Sequence, residues 1–189
     1  KDEKHPFKGV CEYFGFKFCD RRDKNMLIQV RSNDNTIEEV ELLESIEFSS
    51  KRKRMSVVVR EANGKIRLYI KGADTVINER LRKGQASLVE QTNKDMSSFS
   101  DEGLRCLLVG YNDIDEQAFL KWQKSYKAAK TNLEEVEKKK KLLPNLIEQL
   151  EEEYDLTVCY VNIDSDGTVD YTHLETLLDT SKKTLVSLM

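Results

Sequence analysis

Apolar and polar residues alternate with a period of two through much of the first half of the chain, a pattern that predicts β-strands. The clearest case covers residues 47–74, EFSSKRKRMSVVVREANGKIRLYIKGAD. Its two alternating arms centre on Val57 and Leu68, and Asn63 and Gly64 lie between them. Asn-Gly is the pair best able to adopt the positive φ angles of a tight turn. The pattern therefore predicts a β-hairpin.

The residues before this hairpin predict one helix followed by a meander of antiparallel strands. Residues 7–14 carry apolar side chains at helical spacing and end at Gly15. Three alternating segments come next, separated by turn-prone Asp and Asn residues: FKFCDRR, MLIQVR and TIEEVELLESIEF. Such a meander is typical of an antiparallel sheet.

Helical spacing returns after the hairpin. Residues 73–81 and 85–100 predict two helices, and LRCLLVGYN is the most apolar strand-like segment, so we expect it at the centre of the sheet. Residues 115–141 predict one long helix with Asp115 as its N-cap. Its expected buried face comprises Phe119, Trp122, Tyr126, Ala129 and Leu133.

A different rhythm begins at Pro144, which we expect to break or restart the helix. Helix and strand alternate from there on, at residues 145–153, 156–163, 171–178 and 184–188, which favours a parallel α/β unit. We therefore predict domains 1–141 and 142–189. The predicted fold class is α+β, an antiparallel twisted sheet flanked by helices and followed by a short αβαβ segment.

Composition narrows the classes of function. The chain has 189 residues, of which 39% are hydrophobic and 34% charged, and its net charge of −3 does not favour nucleic acid as a partner. Four scattered cysteines without a CxxC motif predict neither a zinc site nor a disulfide framework. No apolar run reaches the roughly 20 residues that span a bilayer. The chain starts at Lys1 and stops within the apolar run LVSLM, as an excised segment would.

Candidate chemistry collects at the open end of the predicted hairpin. The two arms bring together Phe48, the basic run 51–54 and the step Lys71-Gly72-Ala73. An aromatic ring stacks on a nucleobase, lysine heads attract phosphates, and glycine admits a close backbone approach. The sequence therefore predicts a nucleotide site at this end.

Four motifs carry a family resemblance, in order over residues 1–137: EFSSKRKRMSVVVR, LYIKGADTVINERL, DEGLRCLLVGY and EQAFLKWQKSYKAAKTNL. Together they resemble the nucleotide-binding domain of a P-type ATPase, and most closely that of the phospholipid-flippase class. The resemblance implies an ATP-binding site, with Mg²⁺ entering with the nucleotide. Its implied residues are Phe48 stacking on adenine, Lys53 and Met55 lining the pocket, Lys71 at its floor beside Gly72, Arg105 reaching the phosphates, and Glu3 from the family's DE motif.

The phosphorylated aspartate of that family lies in a DKTG motif, which does not occur in this sequence. We therefore expect the chain to bind ATP without hydrolysing it. The implied partners are the phosphorylation and actuator domains of a parent ATPase, with no nucleic acid and no direct membrane contact. The implied location is the cytoplasmic side of a plasma, Golgi or endosomal membrane.

Simpler interpretations of the same residues stay open. Phe48 is also compatible with a core position at a strand end, and residues 51–54 with a solvated strand or an import-signal-like patch. Arg105 is also a suitable ion-pair partner for Glu102. On these interpretations the chain is a plain interaction domain.

The last 48 residues have another resemblance, carried by VNIDSDG, by DYTHLETLL and by TLVSLM. These features are similar to part of the large domain of cysteine desulfurases, which are pyridoxal-phosphate enzymes. A fragment of this kind would be inert, because the family's catalytic groups lie outside it, and its presence suggests a fusion, a chimera or a wrongly joined gene. Residues 162–173 also resemble a calcium loop, but His173 stands where a bidentate glutamate is needed.

Overall fold

Seven strands in the described part of the chain form one antiparallel sheet, and these strands are neighbours in chain order. The computed structural model describes residues 15–30, 34–103, 106–131, 136–152 and 155–157, with the backbone alone for 136–141 and 155–157. The strands are β1 (Phe16–Arg22), β2 (Asn25–Val30), β3 (Thr36–Ser49), β4 (Arg54–Arg60), β5 (Ile66–Gly72), β6 (Leu108–Ile114) and β7 (Asp155–Thr157). The helices are α1 (Asp74–Asn78), α2 (Ala86–Asp101), α3 (Glu116–Thr131) and α4 (Val136–Leu150). The predicted antiparallel sheet with flanking helices is confirmed.

The predicted hairpin is strands β4 and β5, paired from Arg60–Ile66 at the closed end to Arg54–Gly72 at the open end. Its connection is a five-residue loop rather than a two-residue turn. Glu61 and Lys65 lie outside the ladder and are joined to each other by a backbone hydrogen bond. Gly64 adopts the expected positive φ of 84°. Asn63 instead accepts a hydrogen bond from the Lys65 N–H through its side-chain oxygen at 2.9 Å.

The centre of the sheet is β4, not the more apolar β6. Ser56, Val58 and Val59 of β4 are fully buried, and β4 is fourth in the strand order. The prediction of a central β6 is wrong, because β6 is apolar for a reason other than a central position. Helix α1 packs on β5 and β6 and shields them from water, so β6 is buried although it is only sixth among the seven described strands.

One long helix over residues 115–141 is also a wrong prediction. The Trp122 Nε1–H donates to the Leu146 carbonyl at 2.7 Å. A straight helix would separate these residues by about 36 Å, so α3 and α4 must fold back on each other. The predicted start is correct, since Asp115 accepts the Ala118 N–H through its carboxylate at 2.9 Å. The predicted face is buried or half-buried from Phe119 to Ala129, and Leu133 lies outside the described residues.

Pro144 lies inside α4 instead of ending it. An interior proline costs a helix about 3 kcal/mol, so other contacts must hold the last turns. Leu150 is buried, and Glu148 and Glu151 pair with arginines from the sheet and from the segment after α1. Long-range contacts therefore outweigh the local propensity.

The predicted tail is described only at its start. Strand β7 runs antiparallel to β6, from Tyr111–Asp155 to Val109–Thr157. The parallel unit that the alternation favoured stays a prediction, because its second strand, 184–188, lies outside the described residues. The predicted helix 7–14, both cysteines Cys11 and Cys159, and the elements after residue 157 lie outside the described residues. The resemblance of the tail to cysteine desulfurases stays a prediction. So does the domain boundary at residue 141, although that position falls inside α4.

Candidate functional site

Side chains from three strands line up at the open end of the hairpin. Met55 pairs with Lys71, and Lys71 pairs with Val109. Residues directly opposite each other in an antiparallel pair share a face of the sheet, so these three side chains form a row. Met55 and Lys71 are half-buried, and Val109 is buried. The row provides an apolar floor with one lysine in it.

Phe48 adjoins this row at a β-bulge in β3. The pairs Ile46–Ser56 and Ser49–Arg54 enclose two residues on β3, Glu47 and Phe48, but only Met55 on β4. A bulge of this kind changes the direction of the bulged side chains. Phe48 is 61% exposed, so the interpretation of this residue as part of the core is wrong. An aromatic ring thus lies open to solvent next to Met55.

The turn between β3 and β4 carries Lys53 in a left-handed conformation, with φ of 52°. Its N–H donates to the Ser49 carbonyl at 2.8 Å, and its carbonyl accepts the Ala73 N–H at 3.1 Å. A non-glycine residue in this region is strained and persists where its surroundings hold it. The turn is therefore joined by its backbone to the Lys71-Gly72-Ala73 step.

Gly72 makes this junction sterically possible. A Cβ at position 72 would lie 2.6 Å from the Arg54 Cβ and 2.7 Å from the Lys53 carbonyl oxygen. Both distances are well below van der Waals contact, and one of the two groups is backbone. The glycine predicted for a close backbone approach therefore serves a close approach within the protein itself.

Lys71 lies on the floor of the row in a partly dry environment. Burial lowers the pKa of its ammonium group below the usual lysine value, since a charged group is less favourable away from water. An incoming anion would reverse this effect by stabilising the charged form. The position suits recognition of a phosphate.

The basic run 51–54 divides into two pairs with different surroundings. Lys51 and Lys53 are exposed. The side chains of Arg52 and Arg54 are only 17% and 5% exposed and form ion pairs with Glu151. The alternative of a uniformly solvated basic strand is therefore wrong for the two arginines.

Glu148, Glu151 and Ser56 are residues that the sequence did not single out. Glu151 is fully buried and accepts hydrogen bonds from Arg52, from Arg54 at 2.6 Å and from Ser56. Glu148 accepts from Arg54 at 2.7 Å and from Arg80. No local pattern could have revealed these pairs, since Arg54 and Glu151 are 97 positions apart.

Charge pairing shifts the pKa values of Arg54 and Glu148 in opposite directions. Burial alone would lower the pKa of Arg54, but the charges and hydrogen bonds of Glu151 and Glu148 raise it. Burial alone would raise the pKa of Glu148, but the hydrogen bond from Arg80 and the charge of Arg54 lower it. Arg54 and Glu148 are thus each stabilised in their charged form.

Two predicted site residues, Glu3 and Arg105, lie outside the described residues. Cys106, the chain neighbour of Arg105, is half-buried, and burial together with the nearby Asp74 carboxylate raises the pKa of its thiol. Asp74 begins α1 directly after Ala73. Residue 106 therefore lies at the same end of the sheet as the row of Met55 and Lys71.

A cavity of about 280 Å³ lies elsewhere, at the closed end of the hairpin. Its lining includes Phe16, Val59, Glu61 and Tyr69. The length of β4 separates it from Met55, roughly 15 Å at strand spacing. Within the described residues, no group of three or more His, Cys, Asp or Glu side chains is arranged to hold a metal ion.

A comparison with protein families identifies the family of this domain. Residues 11–147 match the family model described as the cytoplasmic domain N of P-type ATPases. The chain belongs to this family. The matched part of the N domain runs from before β1 into α4, and so includes the hairpin, the bulge and the Gly72 junction.

Individual relatives are phospholipid-transporting ATPases. One from Schizosaccharomyces pombe is 37% identical over 140 residues, covering 74% of this chain and 10% of that protein. Probable phospholipid-transporting ATPase IM of Homo sapiens is 36% identical over 138 residues, covering 73% of this chain and 11% of that protein. Phospholipid-transporting ATPase IC of Xenopus tropicalis is 42% identical over 116 residues, covering 61% and 9%.

The chain thus spans about a tenth of the length of the curated relatives it matches. It is similar to the N domain of this phospholipid-transporting class, as its motifs indicated. Among the described residues, no helix is both long and apolar enough to cross a membrane.

Proposed function

We propose that this N domain is the ATP-binding module of a phospholipid-translocating P-type ATPase and presents ATP to the phosphorylation domain of the parent protein. The observation that carries the proposal is the exposed ring of Phe48 at the bulge opposite Met55, whose partner on the next strand is Lys71. A large aromatic ring that is 61% exposed at a β-bulge buries less than half of its surface in this sheet. Stacking on a base would bury more of it.

The proposed site divides ATP between two groups of residues. Adenine stacks on Phe48 and contacts Met55, a kind of contact that contributes about 1–3 kcal/mol in other nucleotide binders. Lys53 lines the adenine pocket together with Met55, and the phosphates face Lys71 and Arg105, which form charge-assisted hydrogen bonds with them. Mg²⁺ enters with the nucleotide, and Glu3 belongs to the same proposed site.

An open site of this kind suits delivery rather than storage. Phe48 and Lys53 are exposed on one wall, so the bound nucleotide remains reachable by another domain. We expect micromolar-to-millimolar dissociation constants, equivalent to about −8 to −4 kcal/mol. The proposed partners are the phosphorylation and actuator domains of the parent, on the cytoplasmic side of its membrane.

Titration of the isotope-labelled chain with ATP, followed by NMR, tests the proposal. We expect saturable shifts at Phe48 and Lys71, and Phe48→Ala should weaken binding by about 1–3 kcal/mol, or roughly 5- to 150-fold. Lys71→Met should weaken it as well. Flat titrations to several millimolar with the fold intact would favour a plain interaction domain instead.

Two matched controls lie on the same strands. Ile37, at the other end of β3, is 60% exposed, so Ile37→Ala removes a comparable exposed apolar side chain away from the site. Lys65 lies at the closed end of the hairpin, so Lys65→Met removes a comparable positive charge. Both variants should bind ATP like the unmodified chain.

A further inference from the structure

The end of α4 is joined to the turn that carries Lys53 by a partly buried cluster of charges, the carboxylate clasp. It comprises Glu148 and Glu151 with Arg52, Arg54, Ser56 and Arg80. Glu151 is fully buried, and its two carboxylate oxygens accept bonds from two guanidinium groups and one hydroxyl. A buried carboxylate is tolerated when its oxygens are satisfied in this way.

The clasp holds both sides of Lys53. Arg52 and Arg54 are its immediate neighbours, and both donate to Glu151. The Lys53 peptide between them has the left-handed φ of 52° and accepts the Ala73 N–H. Fixing both neighbours limits the conformations open to this strained residue.

The clasp also reaches the bulge that exposes Phe48. Arg52 donates through Nη2 to Glu151 and through Nη1 to the Glu47 carbonyl, the latter at 2.7 Å. The Glu47 carbonyl belongs to the peptide bond that joins Glu47 to Phe48. One guanidinium therefore connects the end of α4 to the backbone of Phe48.

A second branch of the clasp holds the segment after Lys71-Gly72-Ala73. Arg80 follows α1, donates to Glu148, and donates to the Val76 carbonyl at 2.8 Å. Glu148 in turn accepts from Arg54, which is paired with Gly72 in the ladder. Both walls of the row are thus attached to the same end of α4.

We propose that Glu151 is a positioning residue of the nucleotide site, holding Arg52 and Arg54 so that the turn presents Phe48 and Lys53 to the base. This role rests on the proposed ATP function. Glu151 itself lies beneath the turn and does not touch the nucleotide. Its effect passes through Arg52 to the Phe48 backbone and through both arginines to Lys53.

The test compares Glu151→Gln with Glu152→Gln in the full chain, using calorimetric titration with ATP, with adenosine and with inorganic tripolyphosphate. The amide of glutamine turns a donor toward two guanidinium donors, so the clasp opens without loss of side-chain volume. Glu152 is the exposed neighbour and serves as the matched control. We expect Glu151→Gln to weaken ATP and adenosine about ten-fold, equal to about 1.4 kcal/mol, and to leave tripolyphosphate nearly unchanged.

Two comparisons separate positioning from general damage. An equal loss of affinity for all three ligands would mean that the whole fold, and not only the turn, had changed. This result would overturn the proposal. In a Phe48→Ala background, Glu151→Gln should weaken adenosine binding much less than it does in the unmodified chain, because the two residues act on one contact. Equal costs in both backgrounds would contradict the proposed path through Phe48.

Arg52→Lys provides a second route should Glu151→Gln fail to fold, since lysine keeps the charge but cannot span Glu151 and the Glu47 carbonyl together. We expect it to weaken adenosine binding with tripolyphosphate again nearly unchanged, and binding like that of the unmodified chain would overturn the proposal. An unmodified chain that binds no ATP would remove the proposed function itself. An unmodified chain that binds, together with a Glu151→Gln variant of equal affinity, would remove only the positioning role.

Discussion

Gly72 and Arg54 face each other across the hairpin so closely that a Cβ on residue 72 would lie 2.6 Å from the Arg54 Cβ. Arg54 cannot retreat, because its guanidinium is held by Glu151 and Glu148. The glycine and the buried ion pairs are therefore parts of one arrangement. A change at either residue should alter the wall that carries Lys53.

Gly72→Ala should therefore reduce both stability and ATP binding. Overpacking of this kind costs about 1–3 kcal/mol, and we expect a loss of that size in the free energy of unfolding. ATP affinity should fall as well, because the Lys53 carbonyl lies 2.7 Å from the new atom and the turn must shift. Urea unfolding and ATP titration measure the two effects.

Gly84→Ala is a useful comparison for this variant. Gly84 has a φ of 97° and nothing within 4 Å of its Cβ position, so alanine there introduces backbone strain without a clash. We expect lower stability and unchanged ATP affinity in the folded protein. Loss of affinity in both variants would show that general destabilisation, rather than the Gly72 contact, affects the site.

As the pH is raised, ATP affinity should begin to fall at a lower pH than it would if Lys71 had the usual lysine pKa. Burial lowers the pKa of Lys71, so its ammonium loses the proton below the usual lysine value of about 10.4. The charged form binds phosphates, and affinity is therefore retained below the lowered pKa and lost as the pH rises through it. Titrations from neutral pH to about pH 10 measure this change.

Lys71→Arg identifies the group responsible for that change. A guanidinium stays charged throughout this pH range, so the affinity of the variant for ATP should no longer fall as the pH rises. Lys65→Met, with an exposed lysine removed at the other end of the hairpin, should keep the pH dependence of the unmodified chain. An unchanged alkaline loss in Lys71→Arg would assign the titration to another group.

Shortening the chain tests the predicted domain boundary. A chain ending at residue 141 lacks Glu148 and Glu151, and so leaves Arg54, only 5% exposed, without either carboxylate. Removing one partner of a buried pair costs about 3–5 kcal/mol, and we expect a loss of at least this order. A chain ending at residue 157 keeps α4 and β7 and should unfold like the full chain.

Thermal or urea unfolding of the two shortened chains tests where the domain boundary lies. Equal stability of both would support a boundary near residue 141 and would show that the last turns of α4 add little. Loss of stability in the shorter chain alone would move the boundary beyond Glu151. The family match, which extends to residue 147, leads us to expect the second result.

Local sequence patterns were sufficient for most elements of the sheet. Alternation identified β1 to β5 nearly to the residue, since a half-buried strand needs a period of two and its turns need Asp, Asn or Gly. The motifs also indicated the family. Joint occurrence of several motifs carries that information even where each one is weak.

Features that depend on distant contacts were not predictable in this way. Trp122 and Leu146 showed that residues 115–141 do not form one helix, and helical periodicity alone does not reveal where a chain reverses. The place of β6 away from the centre of the described strands escaped prediction for a related reason. An apolar strand looks the same whether strands or a helix cover it.

The sequence by itself determined the strands, the hairpin, the glycine of the close approach and the family to which the domain belongs. The tertiary structure alone decided that Phe48 lies open to solvent and that the basic run separates into exposed lysines and buried arginines. The physical reason is the range of the interactions. Patterns report neighbours within a few residues, whereas burial of Arg54 depends on a carboxylate 97 positions away.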